Sequence, residues 1–302
     1  MKKMFGVNVP LSTPMDDMQR VDYASLESLC HFLIEKGVHG LYPNGSTGEM
    51  AYLSVDERKK VLEHCIHASR RRCNVFSMVG AATTQETIEL AQHAQDAGAD
   101  GIGVVTPYYY KLDDQELIAH YKAVGQSVSP DFPIYLYGIP QCAVNDIPVP
   151  LAQRIIEAVP NVVGIKYSYP DIVRLISYMN LKDNTFSVLA GPDNLFFLTL
   201  CAGGDGTISG NANVIPEHFV AIYDAFHKGD ICSARELQRR TNVLIDRMSA
   251  CNNMANYKTI LKHRGVIKCD QMRAPLRRTT AEEASALINA IEAMDYTNPV
   301  CN

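Results

Sequence analysis

Lys166 is the residue best placed to act as a nucleophile, because it closes the apolar run Val162-Val163-Gly164-Ile165. A run of that kind reads as a strand covered on both faces. An amine at its end projects into a partly dry pocket, where the ammonium form is disfavoured. The free amine can then attack a ketone carbon, giving an iminium that serves as an electron sink. A lysine that snorkels to water is the competing explanation, and strand placement alone leaves both open. Tyr137 closes Ile134-Tyr135-Leu136, one strand earlier. Schiff-base formation needs several proton transfers, and a phenol beside the amine can shuttle them, a role worth about 10²- to 10⁴-fold in rate. Taken alone, a tyrosine at this position reads first as a packing residue with a locally satisfied hydroxyl.

Three further segments carry polar residues where apolar strands end. Asn44-Gly45-Ser46-Thr47-Gly48-Glu49 is small and polar, so consecutive backbone N–H groups can converge on an anion, with a carboxylate favoured since the lysine of a phosphate-binding loop is absent. Its alternative is a tight turn whose serine or threonine caps the next helix. Thr106 to Tyr110 brings Tyr108-Tyr109-Tyr110 to a rim, where three aromatics meet a substrate or another subunit. Gly191 to Asn194 follows the seventh strand. His64, Cys65 and His67 are the nearest approach to a metal cluster, yet they sit in a basic amphipathic stretch with no further ligand at metal spacing, which reads as a solvated helix.

The elements that must position these groups alternate along the chain. Strands are predicted over Phe5 to Pro10, Gly40 to Pro43, Val75 to Val79, Gly101 to Val105, Ile134 to Tyr137, Val162 to Lys166, Ser187 to Ala190 and Gly206 to Ser209. Helices are predicted over Tyr23 to Lys36, Val55 to Ser69, Thr84 to Ala97, Asp114 to Ser127, Pro150 to Val159, Asp171 to Met179, Asn194 to Ala202 and Pro216 to His227. Eight such units imply a closed (β/α)8 TIM barrel over residues 1–229, with its functional groups on the rim where the strands end. Residues 230–302, with helices over Ile231 to Ala250, Asn256 to Lys262 and Ala281 to Ala293, read as a C-terminal helical extension of the same single domain, since no linker intervenes. An open doubly wound sheet uses the same alternation, but no G-x-G-x-x-G follows the first strand.

Composition narrows the function classes. The chain has 302 residues, 47% hydrophobic, with 33 acidic against 28 basic side chains and a formal net charge of −5. Arg70-Arg71-Arg72 is the longest basic run, so nucleic acid is not an expected partner. No stretch reads as a membrane span or a signal peptide. Nine scattered cysteines without a C-x-x-C pair suit reduced thiols in a cytoplasm.

In combination, Gly45-Ser46-Thr47-Gly48-Glu49, Thr106-Pro107-Tyr108-Tyr109, Tyr137-Gly138-Ile139-Pro140, Gly164-Ile165-Lys166 and Asp205-Gly206-Thr207-Ile208-Ser209 resemble the dihydrodipicolinate synthase and N-acetylneuraminate lyase family of pyruvate-dependent class I aldolases, over the whole chain. The resemblance implies that Lys166 forms the Schiff base and that Tyr137 is the principal acid/base group. It implies that Ser46 and Thr47, on the Gly45 turn, hold the keto-acid carboxylate and join a proton relay. It also implies that Tyr109 reaches a neighbouring subunit's active site in a dimer or a homotetrameric dimer of dimers. Neither metal nor cofactor is implied, because the iminium does the work of a Lewis acid.

Departures from the family pattern bear on substrate. Gln141 and Cys142 follow Pro140 where synthases of the lysine pathway carry an arginine for the second substrate's carboxylate. Sialic acid lyases carry Asp-Glu after the seventh strand, where Asp193-Asn194 stand here, and a serine where Gly210 aligns. Ser168 matches a hydroxyl residue that lyases place near the substrate, and Gly191 and Ser209 join the expected substrate-binding set. The expectation is retro-aldol cleavage of a 2-keto-3-deoxy sugar acid or a sialic-acid-like substrate to pyruvate and an aldehyde. Condensation of pyruvate with aspartate semialdehyde is the alternative, and an inactive keto-acid binder is a third.

Overall fold

The computed structural model describes residues 1–248 and 253–299. Eight parallel strands close into a barrel in sequence order, β1 (Gly6–Val9), β2 (Gly40–Leu41), β3 (Asn74–Met78), β4 (Gly101–Val105), β5 (Ile134–Gly138), β6 (Val162–Tyr167), β7 (Ser187–Ala190) and β8 (Gly206–Ile208). The outer helices are α1 (Tyr23–Glu35), α2 (Val55–Ser69), α3 (Thr84–Asp96), α4 (Asp114–Gln126), α5 (Pro140–Ala143), α6 (Val149–Ala158), α7 (Ile172–Met179), α8 (Phe196–Cys201) and α9 (Pro216–His227). Three more follow, α10 (Ile231–Met248), α11 (Asn253–His263) and α12 (Ala281–Glu292). The predicted barrel and helical extension are thus both found. Ser249 and Ala250, the last residues of the helix expected over Ile231 to Ala250, lie outside the described residues, as do Cys251 and Cys301.

Local chemistry explains most boundaries. Side chains of Asp22, Thr83 and Asp171 cap α1, α3 and α7, while Ser54 with Glu57, Asp113 with Glu116 and Thr280 with Glu283 form reciprocal capping boxes on α2, α4 and α12. Past α1, α3 and α8 the chain turns into the next strand at Gly37, Gly98 and Gly203, with φ of 83°, 86° and 96°, which a side chain would disfavour. Two expectations need correction. The helix expected over Asn194 to Ala202 is a 3-10 turn at Asp193–Leu195 followed by the short α8, and the helix α5 directly after Tyr137-Gly138-Ile139 was not anticipated. Proline at its first position suits a helix start, but four residues are too few to show periodicity.

Two cores follow from the period-2 alternation of the strands. Ile134 and Leu136 pack outward against the helices, and Tyr135 and Tyr137 inward; likewise Ile165 and Tyr167 face out, which turns Lys166 in. A bulge between Ile134 and Tyr135 in the β5–β6 pairing sets this register, placing Tyr137 directly opposite Lys166. Strand β6 runs one residue past the expected end, so Lys166 is held by sheet on both sides.

Candidate active site

Lys166 is 4% exposed, and its Nζ lies 4.2 Å from the centre of the Tyr137 ring and 5.3 Å from that of Tyr42. The amine is therefore flanked by two aromatic faces inside the barrel, which answers the snorkelling alternative: the side chain points in. A cavity of about 420 Å³ opens from it to the rim at the strand ends. Ser46, Thr47, Tyr137, Lys166, Ser168, Gly191, Asp193 and Asn194, all singled out from the sequence, line it together.

The Gly45-to-Glu49 segment is a 3-10 turn, Ser46–Gly48, whose Gly48, Glu49 and Met50 N–H groups close onto the carbonyls of Gly45 and Ser46. The N–H groups of Ser46 and Thr47 open that turn and so have no partner within it. Capping of the next helix falls to Ser54, so the helix-cap explanation of Ser46 and Thr47 does not hold. Gly45 itself is buried beneath the turn and does not face the cavity. Gly48 packs so closely that an added Cβ would stand 2.8 Å from the Leu11 carbonyl oxygen.

The wall across from this turn is polar. Asn211 Nδ2 donates to Asp193 Oδ2 at 2.5 Å, while Asp193 Oδ1 is buried and has no partner. Burial pushes the Asp193 carboxyl up from its ordinary value, against the opposing effect of hydrogen bonds from Asn211 and Ser209 and of the Lys166 charge. Ser209, expected on the cavity, stands behind Asp193 instead, its Oγ also accepting the Ala212 N–H. Gly191 backs directly on Ser168, where an added Cβ would come 2.0 Å from the Ser168 hydroxyl.

A family model described as the dihydrodipicolinate synthetase family matches residues 3–294. The chain belongs to this family. An uncharacterized DapA-like lyase of Pyrococcus abyssi is 35% identical over 96% of this chain and 97% of its own, and a 4-hydroxy-tetrahydrodipicolinate synthase of Acidiphilium cryptum is 35% identical over 95% and 98%. Among solved structures, a prophage protein of the dihydrodipicolinic acid synthase family from E. coli K12, in complex with pyruvate, superposes with a TM-score of 0.92 at 30% identity over 97% of this chain and 99% of that one. A sialic acid aldolase of Ruminococcus gnavus, studied as a catalytic lysine mutant, gives 0.91 at 26% identity over 97% and 96%. As a member of this family the chain is a carbon–carbon lyase of the class I aldolase type, acting on small molecules including pyruvate through a covalent Schiff base on a lysine without a metal cofactor.

Other family-level expectations meet the structure unevenly. Tyr109 is 79% exposed with φ at 83° and does not reach the cavity of its own chain, whereas Tyr108 is half-buried. Cys142 is exposed on α5, and Gln141 Nε2 donates to the Ser168 carbonyl, so no cation stands where synthases use arginine. At the basic helix face, Cys65 turns into the core against Cys30, Sγ to Sγ 3.8 Å, and His64 meets Glu27 at 2.7 Å. No group able to hold a metal ion occurs among the described residues. No helix among them is long and apolar enough to cross a membrane.

Sequence reading missed Tyr42, Asn211, Asn242, Asp246 and Tyr257. Tyr42 follows β2 and is wholly buried under the amine, but nothing local distinguishes it from a packing tyrosine. Asn242 and Asp246 are four apart on α10 and Tyr257 is on α11, so these helices bring them to the barrel mouth through tertiary packing alone.

Proposed function

We propose that the enzyme cleaves a polyhydroxylated 2-keto acid by a retro-aldol reaction at Lys166. The Nζ adds to the C2 ketone and water leaves, giving an iminium. Tyr137 gives its phenolic proton to that departing water; the phenolate so formed takes the C4 hydroxyl proton and the C3–C4 bond breaks, its electron pair passing into the iminium as an enamine while the aldehyde departs. Protonation at C3 and hydrolysis release pyruvate and free the lysine. Ser46 and Thr47 receive the carboxylate. Ser168, Asp193, Asn194 and Asn211 accept and donate hydrogen bonds along the hydroxylated chain, with Ser209 and Gly191 supporting them.

The observation that carries this reading is the buried amine 4.2 Å from the Tyr137 ring within a cavity that has a small polar turn on one side and a carboxyl–amide wall on the other. Borohydride reduction in the presence of pyruvate should add the mass of a reduced pyruvate adduct to Lys166; a protein that gains none refutes the mechanism. A coupled pyruvate-release screen of 2-keto-3-deoxy sugar acids and N-acetylneuraminate then fixes the substrate. Condensation of pyruvate with aspartate semialdehyde is the second reading, favoured by the synthase names of several relatives and opposed by Cys142. Direct assay of aspartate semialdehyde separates the two.

We also propose that Tyr109 completes the site of a second copy in a dimer of dimers, for which its exposed, left-handed setting beside exposed Tyr110 is the support. The seven described cysteines are free thiols, in keeping with a cytoplasmic enzyme. The helical extension is proposed to fold as one domain with the barrel, since α10 and α11 supply part of the cavity wall.

A further inference from the structure

Glu49, the last residue of the small polar turn, carries a side chain that the reaction does not use. It is 3% exposed, and its backbone is left-handed, with φ at 63°. Its Oε1 lies 2.5 Å from the Nζ of Lys258, which is 1% exposed on α11 and also donates to the Gln271 carbonyl at 2.8 Å. The other oxygen, Oε2, accepts the Arg273 N–H at 2.9 Å. Arg273 in turn grips Glu57 at the start of α2 through both terminal nitrogens, at 2.7 and 2.8 Å, and donates to the carbonyls of Gln19 and Tyr52. The preceding residue of the turn, Gly48, has its carbonyl held by Thr13 Oγ1 at 2.8 Å. Next to Lys258, Tyr257 faces the cavity, and an added Cβ on Gly210 would lie 3.2 Å from its hydroxyl and 3.4 Å from Thr47 Oγ1. One turn of α11 therefore both walls the cavity and holds the turn.

A fully buried ion pair is a poor source of net stability, because the cost of removing both charges from water offsets most of their attraction. What such a pair does supply is a fixed geometry with few alternatives, here between segments 209 residues apart. We propose that Glu49 and Lys258 are positioning residues, a buried clamp through which the C-terminal extension sets the Ser46–Thr47 turn for capture of the keto-acid carboxylate. The proposal rests on the reading of that turn as the carboxylate cradle. It makes the helical extension a working part of the active site, coupling α11 to the position of two N–H groups and two hydroxyls.

The test uses the full chain and two ketones, pyruvate and acetone, of which acetone has no carboxylate. For each, the concentration giving half-maximal borohydride trapping on Lys166 is measured in the wild type, in Glu49→Gln/Lys258→Met, which removes both charges together, and in Glu49→Asp, which keeps the pair but shortens its arm. Melting curves run alongside. The clamp reading expects the double variant to melt close to wild type, to need about tenfold or more pyruvate for half-trapping, and to trap acetone at the wild-type concentration. If the double variant does not fold, Glu49→Asp carries the test, with pyruvate weakened and acetone unchanged. Loss of both ketones in parallel, or no change in either, overturns the positioning role. A wild type that traps neither ketone would instead remove the Schiff-base reading itself, and the clamp with it.

Discussion

Tyr137 offers two separable contributions, and the structure says how to part them. Its ring face lies 4.2 Å from Lys166 Nζ, close enough for a cation–π contact, and its hydroxyl is the proposed proton carrier. Tyr137→Phe keeps the face and deletes the carrier. Tyr137→Leu deletes both. A buried cation–π contact contributes about 0.5–2 kcal/mol, which corresponds to roughly 2- to 30-fold in the population of the cationic iminium. The proton relay contributes about 10²- to 10⁴-fold in rate. Rapid-quench borohydride trapping of pyruvate measures both quantities, the approach rate and the plateau. Tyr137→Phe should approach the plateau at least about a hundredfold more slowly and reach the wild-type plateau, because the equilibrium between ketone and iminium does not depend on the shuttle. Tyr137→Leu should be slow and also reach a lower plateau at subsaturating pyruvate. A phenylalanine variant that forms the adduct at the wild-type rate would refute the assignment of the phenol as the relay. A leucine variant with an undiminished plateau would show that the ring face does not hold the cation.

Three further outcomes follow from particular contacts. Cys142→Arg places a guanidinium on α5 where the chain has no cation, and a charge-assisted hydrogen bond of about 1.5–3 kcal/mol should raise kcat/KM for aspartate semialdehyde about 10- to 100-fold over wild type in a coupled condensation assay; no gain would count against this position as the selector. Gly103→Ala would drive a methyl to within 1.8 Å of the buried, unpartnered Tyr42 hydroxyl, so it should lower the melting midpoint sharply, and adding Tyr42→Phe, which removes that oxygen, should recover part of the loss; strictly additive shifts would argue against the contact. His120 is held down to about 4 by burial while its unfolded counterpart titrates near 6.5, so as pH falls from 6.5 towards 4 the unfolded chain takes up a proton that the folded one refuses, and stability drops by at most about 1.4 kcal/mol per pH unit; His120→Gln should flatten that stretch of the urea-midpoint profile.

The barrel was legible because short apolar or β-branched stretches alternate with longer amphipathic ones eight times, and Gly37, Gly98 and Gly203 mark the same helix-to-strand step at three of them. Lys166 was legible for the same reason: a charge at the end of a buried run contradicts its surroundings unless it has work to do. Ser46, Thr47, Ser168 and Asp193 could be placed because all follow strands, and strand ends share one rim. Other assignments failed where the deciding contact is distant. The strand pattern places Ser209 towards the substrate, but its Oγ accepts the Ala212 N–H of the 3-10 turn Asn211–Asn213 that follows β8. Glu49 was read only as part of a motif, since its partner Lys258 lies 209 residues away in a helix whose pattern reports a buried face without saying what it covers. Tyr109 does not line the cavity of its own chain, and the role proposed for it needs a second copy.

The division between what was and was not legible also separates two kinds of function. The interior alternation of β5 and β6 fixes the amine and the phenol across a ladder of backbone hydrogen bonds, so the chemistry at C2 follows from strand register and would be lost by a one-residue slip in either strand. Much of the rest of the cavity wall comes from the segments after β7 and β8 and from α10 and α11, which lie outside that β5–β6 register. Substitutions there, at Asn194, Asn242 or Tyr257, can change which aldehyde is accepted while leaving the lysine and its tyrosine in place. On the proposed reading, that separation lets one barrel serve proteins named both as synthases and as sialic acid aldolases, and it directs the test of selectivity in this chain to the Asp193–Asn211 wall and the uncharged Cys142 position rather than to Lys166.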